Sequence, residues 1–294
     1  MKRKEKNVKK GSNGEEIRAI EKARREHPEI AKPLDILMKL TEISGDIIPV
    51  KGENINWDKL KEGFPVVDKR ILPEDLGPLT KRFKEILNIL LAGDNVGASA
   101  VSDFFEEKKL FKKLLEGVLT GQYSFPKKYS RSKPVTLFAA GETLLPLIND
   151  IKLSHPPKEG LDNWGESYCP ICGAPPSISA IEGEENRLFL YCSRCAQSWN
   201  FPRLVCVHCG EEDQKKLQYF YAETDEIHRV YVCDSCKHYM KSVDKREKNV
   251  VFPRPEDLTT IRLDIVAKSE GYTRESIDFV GLILMDHKAE QERS

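Results

Sequence analysis

The residues best suited to chemistry in this 294-residue chain are its eight cysteines, which all fall between positions 169 and 236. They form four Cys-x-x-Cys pairs: Cys169/Cys172, Cys192/Cys195, Cys206/Cys209 and Cys233/Cys236. A two-residue gap lets both sulfurs of a tight turn converge on one tetrahedral ion, at about 2.3 Å each for zinc. One such pair also suits a redox dithiol. Two pairs separated by 19 residues, then two more separated by 23, instead match four-sulfur metal sites. A glycine follows the second cysteine in Cys169–Gly173 and in Cys206–Gly210, where it admits positive φ and close approach of backbone to sulfur. Four thiolates suit zinc or a rubredoxin-type iron. With all four positions filled by protein, no coordination site is left open for hydrolysis. No nucleophile–base signature, phosphate loop or dinucleotide fingerprint accompanies them, so the expected protein is not an enzyme.

The segments between the pairs carry these ligands. Ile178–Ile181 and Leu188–Tyr191 read as strands around the turn Gly183-Glu184-Glu185-Asn186. Leu217–Tyr221 and Arg229–Val232 flank Thr224-Asp225-Glu226 in the same way. Each half is thus a knuckle, a hairpin and a second knuckle, repeated with a slightly longer hairpin in the second copy. A hairpin returns its ends to one place, which favours sequential pairing: Cys169, Cys172, Cys192 and Cys195 at one ion, Cys206, Cys209, Cys233 and Cys236 at the other. A crossed brace that alternates the pairs is the other arrangement. Such small units bury too little surface to fold alone, and a structural metal supplies roughly 10–16 kcal/mol in finger peptides. His208 reads as a residue outside the ligand set, and Trp199 as packing over the first knuckle.

Upstream, the pattern is helical. Leu34, Leu37, Leu40 and Ile43 form one apolar stripe, and Phe83, Ile86, Leu87 and Leu90 a second, stopped by Gly93. Leu110, Phe111, Leu114, Leu115 and Val118 form a third, and Leu144, Leu145, Ile148 and Ile151 a fourth. Pro65, Pro73 and Pro78 punctuate the loop between Trp57 and Leu79. The expected organisation is a disordered basic tail over 1–14, a helical domain over 15–155 and a first metal module over 156–200. A second module over 201–250 and a C-terminal helix and tail over 251–294 complete it. The candidate linker is His155–Gly160. The fold class is α+β: an N-terminal all-helical domain, two tandem metal modules and a short C-terminal helix.

Charge balances at 47 basic and 47 acidic residues, with 39% hydrophobic and 32% charged. Within 156–255, 13 Lys/Arg face 15 Asp/Glu. That is the wrong sign for phosphate contact, so a nucleic-acid-binding zinc ribbon is the rival class rather than the leading one. A Cys-x-x-Cys thiol redox protein is the other rival. No apolar run is long enough to span a membrane. No apolar stretch follows Met1–Lys6, and none follows Arg24-Arg25, so the expected compartment is the cytoplasm, where paired thiols are metal ligands or redox groups rather than disulfides.

These residues resemble a known family. Cys169-Pro170-Ile171-Cys172-Gly173-Ala174-Pro175-Pro176 is similar to the first knuckle of the formate dehydrogenase accessory proteins, FdhE. So are Cys192 and Cys195 followed by Trp199, Arg203, Cys206 and Cys209, and the knuckle Cys236-Lys237-His238-Tyr239-Met240-Lys241. The helix Asp257–Glu270 ending in Gly271-Tyr272-Thr273-Arg274, and the segment Gly63–Asp68, add to the likeness, which spans most of residues 30–275. Two stretches depart from it: the sequence after Arg274 and the basic run at 1–10. The resemblance implies that the two modules are rubredoxin-like, that the metal is iron, and that the chain binds the formate dehydrogenase catalytic subunit. It also implies that the chain assists that enzyme's maturation in the cytoplasm.

Overall fold

The computed structural model describes residues 2–44, 46–91, 108–122, 132–156, 161, 164–223, 225–245 and 252–284. It divides into two compact units, one of residues 1–158 with 171–173, the other of residues 159–170 with 174–294.

The first unit is helical. Its described helices are α1 (Lys2–Glu26), α2 (Ala31–Ser44), α3 (Gly77–Leu90), α4 (Lys108–Thr120), α5 (Lys133–Thr143) and α6 (Leu145–Ser154). The apolar stripes read from sequence are the faces these helices bury. Leu34, Leu37 and Leu40 of α2 are fully buried, as are Phe83 and Ile86 of α3 and Leu115 of α4. Phe83 meets Phe111 with ring centroids 5.2 Å apart. Arg82 is buried among them and donates to the Ile43 carbonyl at 2.7 Å and to Asp46 at 3.2 Å. Within this unit the Val67 N–H donates to the Ile171 carbonyl at 2.9 Å.

Two features depart from the sequence expectation. The backbone is helical from Lys2, where a disordered tail over 1–14 is expected; Lys, Arg and Glu are good helix formers, and no proline interrupts the run. Helix α5 has no amphipathic stripe to announce it, because Thr136–Thr143 are buried on every side. Gly93 and residues 157–160 of the expected linker lie outside the described residues.

The second unit is built on one six-stranded sheet: β1 (Pro176–Glu182), β2 (Arg187–Cys192), β3 (Ser198–Phe201), β4 (Leu217–Phe220), β5 (His228–Cys233) and β6 (Tyr239–Asp244). The order is β3-β2-β1-β6-β5-β4, two antiparallel meanders joined by parallel pairing of β1 with β6. Each repeat therefore has a third strand, which the hairpin reading omits. In β3 the alternation Ser198-Trp199-Asn200-Phe201, with Trp199 and Phe201 buried, carries its signal.

Two short helices, α7 (Pro253–Thr259) and α8 (Ile261–Ser269), stand where the sequence suggests one; the chain breaks step at Thr260. Val230, Val232 and Tyr239 of the sheet pack with Leu263 and Ala267 of α8. Beneath that apolar contact lies a buried ion network. Lys241 Nζ sits 2.5 Å from Asp264 and 2.7 Å from Asp257, and the Tyr239 hydroxyl donates to Asp264 at 2.7 Å. Arg274 contacts Asp257, Asp264 at 2.9 Å and Asp278 at 2.6 Å. Burial pushes Asp257 up to about 6 against the pull of Arg274 and Lys241, and pushes the Tyr239 phenol far up. His228 Nε2 meets Glu256 of α7 at 2.6 Å. Among the described residues no helix is long and apolar enough to cross a membrane.

Candidate metal centres

The four knuckles share one backbone plan. The first cysteine of each donates its N–H to the carbonyl five residues on: Cys169 to Ala174, Cys192 to Gln197, Cys206 to Glu211 and Cys233 to His238, at 2.8–3.0 Å. The residue four positions after that cysteine takes positive φ in every case: Gly173 (69°), Ala196 (54°), Gly210 (73°) and Lys237 (56°). Three of these, Ala196, Gly210 and Lys237, also return an N–H to the first cysteine's carbonyl. The turn reverses the chain tightly enough to aim both sulfurs to one side. Glycine makes this turn without steric cost, whereas Ala196 and Lys237 adopt it at roughly 1–2 kcal/mol. The sequence reading placed a knuckle at each of the four Cys-x-x-Cys pairs but expected positive φ only at Gly173 and Gly210.

The hairpins then bring the knuckles together in sequence. The sulfurs of Cys169, Cys172, Cys192 and Cys195 lie within 4.8 Å of one another, and those of Cys206, Cys209, Cys233 and Cys236 do the same. The grouping is sequential rather than alternating. Across pairs, Sγ of Cys169 lies 3.7 Å from that of Cys195, Cys206 3.8 Å from Cys236, and Cys209 3.7 Å from Cys233. Sulfurs tetrahedrally placed about 2.3 Å from one ion stand about 3.8 Å apart. A disulfide would need about 2.05 Å. The donor set and its spacing therefore fit a four-coordinate zinc or iron in each group.

Backbone N–H groups point at the sulfurs as well. Arg194 and Cys195 each donate to Cys192 Sγ at 3.4 Å. His208 and Cys209 donate to Cys206, and Ser235 and Cys236 to Cys233. Such donors stabilise thiolate charge and, in iron sites, raise the reduction potential. As free thiols the second group holds its protons unevenly. Burial pushes Cys206 up to about 11 and Cys236 higher still. For Cys233 burial is outweighed by its backbone and thiol donors, and it is held below the usual range. A dication relieves such a cluster by displacing its protons.

Neighbours outside the cysteines fix the frame. Trp199 is buried on β3 and donates Nε1–H to the Glu166 carbonyl at 3.0 Å. The His208 ring lies tilted beside His238 at 4.9 Å between centroids and meets Glu275 at 2.5 Å. Thr273 donates its N–H to the Lys237 carbonyl, and the Tyr239 N–H donates to the Thr273 carbonyl, so the chain after α8 pairs with the last knuckle. The sequence carries no short-range signal for Glu275 or Thr273, which act across more than 30 positions.

Comparisons with known proteins agree with this architecture. Residues 168–203 match the sequence model described as "FdhE, central domain", and residues 204–280 the one described as "FdhE, C-terminal domain". The chain is 27% identical over 251 residues to a protein named "Protein FdhE homolog" from Aquifex aeolicus, covering 82% of this chain and 83% of that one. It is 26% identical over 226 residues to "Protein FdhE" of Escherichia coli O1:K1 / APEC, covering 74% and 69%. A "Protein FdhE homolog" from Haemophilus influenzae (strain PittGG) is 30% identical over 113 residues, which cover 38% of this chain and 37% of that protein. The crystal structure of the FdhE protein from Pseudomonas aeruginosa shares the fold, with TM-score 0.62 at 22% identity over 90% of this chain and 93% of that one.

Proposed function

We propose that this chain is a member of the FdhE family, whose central and C-terminal domain models it matches, and that it is a non-catalytic accessory protein for the maturation of formate dehydrogenase. In this reading it works in the cytoplasm, binds that enzyme's catalytic subunit, and carries two metal ions held by Cys169, Cys172, Cys192 and Cys195 and by Cys206, Cys209, Cys233 and Cys236. The observation that carries the metal reading is the pair of four-sulfur groups with tetrahedral spacing. Iron is favoured by the family resemblance, with zinc the alternative. Iron would supply one-electron chemistry and zinc only structural stability. The domain plan we propose keeps the boundaries read from sequence, a helical domain over 15–155, modules over 156–200 and 201–250 and a C-terminal segment over 251–294, with helix α1 starting ahead of the first of them at Lys2.

The chain's own residues would do the positioning. The four knuckles orient the sulfurs, backbone N–H groups hold thiolate charge, and the buried Lys241–Asp264–Arg274 network fastens the C-terminal segment to the sheet that carries the second group. The test is an anaerobic pull-down of the tagged full chain against formate dehydrogenase subunits. Recovery of the catalytic subunit, lost when a cysteine quartet is replaced by serine, is the expected result. Recovery of nothing from subunits known to be folded would contradict the assignment.

A further inference from the structure

The two four-cysteine groups share a backbone plan but differ in cover. In the first, all four cysteines are buried: Cys169 0%, Cys172 1%, Cys192 2% and Cys195 6% exposed. In the second, Cys206 and Cys233 are buried, but Cys209 is exposed and Cys236 half-exposed. The residues inside the turns differ less: Pro170 and Ile171 are buried and Ser193 and Arg194 partly covered in the first group, while in the second Val207 is buried, His208 and Asp234 partly covered and Ser235 exposed.

The glycines that follow the second cysteines give an independent comparison at equivalent positions. A Cβ placed on Gly173 would meet Pro65 Cγ at 3.0 Å, so the ring of Pro65 closes over that turn. A Cβ on Gly210 would meet nothing within 4 Å, so the space beside Cys209 is open. Around the second group the side chains are charged and partly exposed: Glu211 with Lys216, and Asp234 with Lys237. Incoming solutes meet polar groups there rather than a packed apolar wall.

From this asymmetry, and resting on the metal-binding reading above, we infer that the second group is the exchangeable site, with Cys209 its point of entry, and the first is the permanent one. A ligand sulfur is lost by exchange: a soft donor from solution bonds to the ion, Cys209 Sγ leaves it, and the proton of the incoming thiol passes to Cys209. No electrons are transferred, so the oxidation state of the metal is unchanged. Exchange at the first group needs the turn around Gly173 to open first, which adds the free energy of a local unfolding step. The class of ligand that fits is a small soft chelator or thiol, or the thiol-bearing segment of a metal donor or acceptor.

The test uses the full chain loaded with zinc and challenged with an excess of chromophoric chelator, in parallel with brief iodoacetamide alkylation and peptide mapping. The expected result is release in two phases at least about tenfold apart, with one metal in each. Alkylation should appear first at Cys209, then on its partners in the second group, while Cys169–Cys195 stay unlabelled until the slow phase. The variant Cys209→Ser should lose the fast phase and keep one slowly released metal. Two metals leaving in a single phase, or labels appearing first at Cys169–Cys195, would overturn this inference alone. Fewer than two metals per chain before the challenge would overturn the metal reading and this inference together.

Discussion

Replacing Lys241 with methionine tests how the C-terminal segment is held. Lys241 lies on β6, 1% exposed, with Nζ 2.5 Å from Asp264, 2.7 Å from Asp257 and 2.6 Å from the Asp257 carbonyl. Together with Arg274 it sets two positive charges against the carboxylates of Asp257, Asp264 and Asp278, all at most 4% exposed. Methionine matches the stem in volume but leaves Arg274 alone against three carboxylates. Removing one partner of a buried pair costs about 3–5 kcal/mol, because the stranded charge is desolvated without compensation. Arg274 still contacts both orphaned aspartates, which argues for the lower end, about 3 kcal/mol. That is a large part of the roughly 5–15 kcal/mol that holds a domain. Urea unfolding followed by tryptophan fluorescence is the assay, since Trp164 and Trp199 are in the same unit. The double variant Lys241→Met/Asp264→Leu should recover a substantial share of the loss, because it removes charges on both sides. An unfolding free energy for Lys241→Met within about 0.5 kcal/mol of the parent would overturn this, as would a double variant less stable than the single one.

Other expectations follow from the same geometry. Asp257, held at about 6 mainly by burial against an unfolded value near 3.8, binds more protons folded than unfolded between those values. Its contribution therefore falls as pH rises through that window, and the stability of the parent relative to Asp257→Asn should drop by about 2 kcal/mol from pH 4 to pH 7; a flat difference across that range would contradict it. Gly173→Ala and Gly210→Ala both impose a positive φ on alanine, at a cost of roughly 1–2 kcal/mol. Only Gly173→Ala adds a 3.0 Å approach to Pro65, so it should unfold at lower urea than Gly210→Ala, and equal midpoints would show the closure by Pro65 to be slack. Ala196→Gly relieves strain at an exposed turn and should leave stability unchanged or raise it by up to about 1 kcal/mol; a loss of more than that, by thermal melting, would count against the shared turn plan.

Much of this architecture is visible in the sequence because it is locally encoded. Paired cysteines at fixed spacing fix the knuckles, and alternation fixes β1, β2, β4 and β5, while the three-residue recurrence of Leu34, Leu37 and Leu40 fixes a buried helix face. What escaped reading is encoded at long range or without periodicity. Helix α5 is buried on all sides and shows no stripe. The joining of two repeats into one sheet rests on Ile178–Ile181 pairing with Lys241–Asp244, a match of strands some 60 positions apart that no local signal announces. Ala196 and Lys237 take a conformation that glycine usually marks, so half the turn plan is hidden by residue type. The partners of the second group, Thr273 and Glu275, are recognisable only once the chain has folded back.

In the proposed function eight cysteines hold two ions, four sulfurs to each. The most direct test is metal analysis with an optical spectrum on protein purified without oxygen and then oxidised, for the parent and for variants with either quartet changed to serine. Two metals per chain are expected in the parent and one in each variant, with visible sulfur-to-iron bands on oxidation if the metal is iron and none if it is zinc. Less than one metal of any kind in the parent, or loss of both metals from either variant while its fold is retained, would contradict two independent four-sulfur sites.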